Sequence, residues 1–145
     1  MKTIYILLMA LTGAVFQNRA TTSVTINITN LENNKGSVLV ALYNKADNFP
    51  HDAARNAVGR KKVAIVNKTA TITWTDLPPG RYAVALLHDA NNNMKMDYNM
   101  LGMPKEGYGF SNNAKGKMSA PGFDKAAFEL GTTPKTIFIK MQYFL

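Results

Sequence analysis

Cysteine is absent from the 145-residue chain. That excludes structural disulfides, thiolate zinc sites, a cysteine nucleophile and a lipid-modified cysteine after any leader. Stability then rests on packing, with a metal ion as the other available staple. Histidine is scarce, only His51 and His88, and serine beyond the first twenty residues stands only at 23, 37, 111 and 119. None of these serines lies in a nucleophile-elbow pattern. The neighbours His88 and Asp89 on one strand point to opposite faces, which speaks against a base with its orienting acid. Beyond residue 20 no apolar run is long enough to cross a bilayer as a helix.

At this length the chain is one domain. Lys2 supplies a positive start, and Ile4 to Phe16 is almost wholly apolar, broken by Thr12 and Gly13. The run falls short of the roughly 20 residues of a spanning helix and fits the apolar centre of a secretion signal. Residues 1–20 are therefore expected to be a signal peptide, cleaved near Ala20 or near Ala14. An uncleaved anchor or a buried first strand is the alternative. Residues 21–145 form the mature domain, exported to the periplasm or secreted, with no membrane span after signal removal. Of 17 basic residues, Lys2 and Arg19 leave with the leader, so 15 remain against 9 acidic ones. They are scattered, apart from the run Arg60-Lys61-Lys62. This is a solvated basic surface rather than a nucleic-acid site.

After residue 20 the hydropathy pattern has period two. Val24, Ile26 and Ile28 alternate with Thr25, Asn27 and Thr29, as in a strand with one buried face. Val38 to Tyr43, after the turn signal Asn33-Asn34-Lys35-Gly36, is apolar on both faces and reads as a central strand. Val63–Val66, Ala70–Trp74, Tyr82–His88, Ala126–Leu130 and Thr136–Phe144 follow. Asp47-Asn48-Phe49-Pro50 resembles a helix start ahead of one or two turns at 51–58. About seven short strands with frequent turns predict an all-β, two-sheet β-sandwich, immunoglobulin-like or prealbumin-like. Tyr82 follows the corner Asp76-Leu77-Pro78-Pro79-Gly80. It ties its hydroxyl to the corner backbone, as in immunoglobulin-like sandwiches, or is simply an aromatic at the core edge.

Residues 89–123 show no sustained period, and loops this long are commonly functional. The opening carries oxygen side chains at Asp89, Asn91, Asn93 and Asp97, spaced one, three, five and nine. A loop curling around calcium presents such alternate side chains plus a carbonyl at position seven, here Lys95. Asp89, Asn91, Asn93, Lys95 and Asp97 are thus candidate calcium ligands of modest affinity. The departures are Met94 where a glycine turn is usual and Met100 where a bidentate glutamate is expected. Glu106 has the chemistry of a third carboxylate, but no spacing rule brings it back. The other reading is an Asx-turn loop bonded to its own backbone. Farther on, Tyr108 and Phe110 sit among glycines and amides. They either stack on a partner, with Asn112 beside them, or tuck the loop against the sandwich.

Gly36–Tyr43, Leu77–Tyr82, His88–Asp97 and Gly107–Asn113 occur in this order in a bacterial family. The chain resembles the domain of unknown function 2141 family, small exported proteins with the pattern His-Asp-x-Asn-x-Asn…Asp followed by Glu-Gly-Tyr-Gly-Phe-Ser. The resemblance covers nearly the whole mature chain and is most specific at Glu106–Asn112. It implies an exported β-sandwich and no established activity. Family members often carry glycine at the position of Met94.

Two functions are expected. One is a non-catalytic binding module of the cell envelope that presents residues 98–118 to a glycan, a peptide or an envelope protein. The other is a hydrolase-type enzyme with its site in the 88–113 loop, around His88, Asp89 and Glu106.

Overall fold

The computed structural model describes residues 19–144. The expected signal peptide lies outside them, apart from Arg19 and Ala20. The alternating segments form strands β1 (Thr22–Thr29), β2 (Ser37–Tyr43), β3 (Gly59–Val63), β4 (Ala70–Leu77) and β5 (Gly80–Asp89). Three more follow: β6 (Tyr108–Phe110), β7 (Phe128–Leu130) and β8 (Lys135–Lys140). Two single helical turns, α1 (Ala53–Asn56) and α2 (Phe123–Ala126), lie between strands. One sheet has the order β4-β1-β8, with β1 antiparallel to β4 and parallel to β8. The other has the order β3-β2-β5-β6, and β7 pairs with the start of β5. No helix among the described residues is long and apolar enough to cross a membrane.

β2 and β5 are central; the other sheet covers their inner face and the Phe49 cluster part of their outer face, so both faces carry apolar residues. On the inner face Val38, Val40, Leu42, Val84 and Leu86 meet Val24, Ile26 and Ile28 of β1 and Ile139 of β8. On the outer face Tyr43 and Ala83 meet Phe49, Phe110, Phe123 and Ala126, all but Phe110 from segments between strands. Phe49 stands edge-on to Tyr43, Phe110 and Phe123, with ring centroids 5.0, 6.1 and 5.8 Å apart. Such pairs contribute about 0.5–1.5 kcal/mol beyond area burial.

At the corner before β5 the Tyr82 hydroxyl donates to the Pro78 carbonyl at 2.7 Å. Burial pushes the Tyr82 phenol above its ordinary range, because the phenolate loses water there.

Several boundaries differ from expectation. The strand expected at Val63–Val66 instead ends at Val63. Val66 only bridges to Thr69, across Asn67 and Lys68 with φ of +50° and +57°. No helix starts at Asp47–Pro50. The single turn α1 begins after Asp52, which has φ +47° and makes no side-chain cap. The strand expected from Ala126 starts at Phe128, because the Ala127 N–H closes the α2 turn on Phe123 O at 2.8 Å. β8 ends at Lys140 rather than Phe144, and the Met141 N–H turns to Thr29 O at 2.9 Å. The long loop also contains a strand, β6, and among the described residues the strands number eight rather than about seven.

Candidate functional site

Asp89 closes β5 and is fully buried. Its Oδ1 and Oδ2 accept the N–H groups of Asn93 and Met94, each at 3.0 Å. Two Asx turns follow: Asn91 Oδ1 accepts from Asn93 N–H and Asn93 Oδ1 from Lys95 N–H, both at 3.1 Å. The amide groups of Asn91 and Asn93 donate to the Asp97 carboxylate at 2.6–3.0 Å. Glu106 does fold back. Its Oε1 accepts from Ala90 N–H at 3.1 Å and its Oε2 from Asp97 N–H at 3.3 Å. Two carboxylates thus hold backbone N–H groups, the stronger kind of hydrogen bond.

The loop leans on the turn before β2. Gly36 has φ +67°, and a Cβ there would collide with the Asp89 carbonyl. The Ser37 hydroxyl donates to Asn92 Oδ1 at 3.3 Å. Met94 has φ +67°. The loop therefore makes a left-handed turn at its sixth position without the glycine, at a cost of about 1–2 kcal/mol. The donors gathered here are oxygens with few charges, the chemistry of a weak hard-cation site. No group of three or more His, Asp or Glu side chains suited to a metal converges among the described residues.

His88 points the other way, into the sandwich, and is 1% exposed. Its Nε2 donates to Lys35 O at 2.8 Å, and its Nδ1 accepts from the Tyr143 hydroxyl at 2.7 Å. The partners assign this tautomer: a carbonyl only accepts, and the Tyr143 oxygen already accepts Glu32 N–H at 2.9 Å. Burial raises the Tyr143 phenol above its usual range. Its ring packs where a Cβ on Gly107 would stand, which explains a glycine between Glu106 and Tyr108.

The outer face of the larger sheet carries a groove of about 1300 Å³. Register builds its floor from two cross-strand rows. Lys62, Leu39, Leu87 and Tyr108 form one, and Arg60, Ala41, Ala85 and Phe110 the other. Leu39, Ala41, Ala85 and Leu87 remain half-buried. The two alanines recess the centre. One end is closed by the Phe49 cluster, and the 94–104 and 114–121 segments form walls.

Asp89, Asn91, Asn93, Lys95 and Asp97 are brought into one turn system. Of the candidate partner-binding residues, Tyr108 lines the groove and Phe110 is 7% exposed within the outer cluster. The Asn112 amide donates to Ala127 O at 2.7 Å and Lys125 O at 3.3 Å. Sequence reasoning missed Ser111. Its buried hydroxyl donates to Ala126 O at 2.5 Å and accepts from Val84 N–H at 2.8 Å, joining α2 to β5. It missed the groove too. The available signal was small residues at 41, 83 and 85 on strands otherwise rich in large apolar ones.

Comparison with curated proteins returns no match. Among solved structures the chain is similar to a pilus-presented adhesin, at 12% identity and a TM-score of 0.27. That likeness covers 84% of this chain and 27% of the adhesin, so the chain spans about a quarter of its length. The family model described as "Uncharacterized protein conserved in bacteria (DUF2141)" matches residues 26–138. The match runs from the middle of β1 into β8, and the chain belongs to this bacterial family.

Proposed function

We propose that the protein is an exported, non-catalytic binding module of the bacterial envelope. Its ligand seat is the outer-face groove, with the 89–106 loop as one wall. The observation that carries this reading is the groove, about 1300 Å³ over an apolar floor, against roughly 300–1,000 Å³ for ordinary small-molecule pockets. Binding is favoured over hydrolysis because His88 has both ring nitrogens engaged, while Asp89 and Glu106 hold backbone N–H groups. The framework is taken as immunoglobulin-like or prealbumin-like, supported by the Tyr82–Pro78 bond. The test fills the floor with Ala41→Phe or Ala85→Phe. The neutral fluorophore N-phenyl-1-naphthylamine should bind the parent protein and lose at least tenfold in affinity in either variant, with melting little changed. Equal binding by the filled variants would remove the groove as the seat.

A calcium ion pinning the loop wall is the second part of the proposal. Asp89, Asn91, Asn93 and Asp97 would hold it with their side-chain oxygens and Lys95 with its carbonyl. Both Asp89 oxygens, the Asn91 and Asn93 Oδ1 atoms and Asp97 Oδ1 each accept one hydrogen bond and keep a second lone pair. With two carboxylates the affinity is of order 10⁻⁴–10⁻³ M. Calcium at tenfold its Kd should add about 1.4 kcal/mol of stability, and Asp97→Asn should abolish the gain. A melting temperature indifferent to 10 mM calcium, about ten times the weaker limit, sinks this part.

A further inference from the structure

We infer that the groove takes a single-chain alkyl carboxylate, its tail along the floor and its head at the β3 end; this rests on the groove being the seat. The floor runs across four strands from β3 to β6, three strand spacings or about 14 Å, a span that a medium-length alkyl chain covers. It is dry chemistry: Leu39, Ala41, Ala85 and Leu87 in the middle, with Tyr108 at the far end.

In the middle of this floor the backbone has no bonds to offer. β2 is paired on both sides, to β3 and β5, and β5 is paired to β2 and β6. A peptide or glycan laid across it would bury its own N–H, C=O or hydroxyl groups without partners, which is costly. An alkyl chain has none to bury. Met94, Met96, Met103 and Met118 line the walls. Their flexible thioethers adapt to a tail without a fixed shape.

Charge sets the polarity. Arg60 and Lys62 are exposed, share the cross-strand rows of the floor, and make no ion pair among the described residues. Lys95, Lys115 and Lys117 add positive charge along the walls. Asp52 is the one carboxylate lining the groove among the described residues, and it already pairs with Arg55 at 3.6 Å. The groove is therefore complementary to an amphiphile with an anionic head.

The test measures displacement of N-phenyl-1-naphthylamine by dodecanoate and by dodecanol, both below self-association, from the parent protein and from R60E/K62E. Both substituted side chains are exposed, so folding is retained. Dodecanoate should displace the dye at least tenfold more strongly than dodecanol. The double variant should lose that margin while binding dodecanol unchanged, and added salt should weaken only dodecanoate. Equal potency of acid and alcohol, or displacement by an acidic peptide but not by dodecanoate, overturns the inference and leaves the groove as a seat. Failure of the dye itself to bind overturns both.

Discussion

The two faces of the larger sheet are built from the same strands but stabilised differently. The inner face is mainly aliphatic and meets a second sheet, so strand is packed on strand. The outer face is aromatic at one end and alanine-floored in the middle, and its cover consists mainly of segments with no regular period. Layers of strands exclude water along their whole length. A cover made of loops seals only where a large ring reaches down, as Phe49 does onto Tyr43. The gap that remains is the groove. An open groove thus arises where regular structure stops being available to close a face.

The contrast can be broken first at the inner face. Ile26 is fully buried at its centre, and Ile26→Ala should cost about 4 kcal/mol, seen in urea as one cooperative transition shifted for the whole domain. A loss under 1 kcal/mol would mean that the inner core does not carry the fold. Phe49→Ala should cost less, about 3 kcal/mol, and act locally. Amide exchange should quicken in residues 44–58 and 111–127 while β1, β4 and β8 keep their protection. Uniform quickening would erase the distinction between the faces. Met94→Gly acts on the groove wall alone. It removes the left-handed strain and should raise stability by about 1 kcal/mol, measured by thermal melting.

The smallest effect is alkaline. Burial raises the phenols of Tyr43, Tyr82 and Tyr143, on both faces. Their folded values lie above the unfolded value of 10.0. The stability they contribute is fully present below pH 10 and is lost as pH rises through the folded values. Phenolate absorbance should show these three titrating late, followed by unfolding. Titration of all three at the free-tyrosine value would contradict their burial.

The inner face was legible. One-sided alternation at Val24–Thr29 and Ala70–Trp74 marks the smaller sheet, and two-sided apolarity at Val38–Tyr43 and Tyr82–His88 marks the centre of the larger one. Edges were not. β3 carries Arg60, Lys61 and Lys62, because an edge strand needs no apolar pattern, and charge protects its open side. The apolar pair Ile65-Val66 drew the expectation past Val63. β6 is three residues within a glycine-rich run, too short to show a period. In the loop, the spacing of Asp89, Asn91, Asn93 and Asp97 was enough to foresee a turn built on side-chain oxygens. The return of Glu106 was not, since it depends on β6 docking beside β5. The groove depends on two absent side-chain volumes, at Ala41 and Ala85, set next to each other by register.

The parallel pairing of β1 with β8 has a consequence for how the molecule comes into being. β1 pairs with β4 on one side and with β8 on the other, Val24 opposite Lys135 and Thr29 opposite Lys140. Along this chain the two partners are made at opposite times. Until the last strand arrives, β1 has a vacant hydrogen-bonding edge, and Ile139 is missing from the inner core. The sandwich can therefore lock only once β8 has been synthesised.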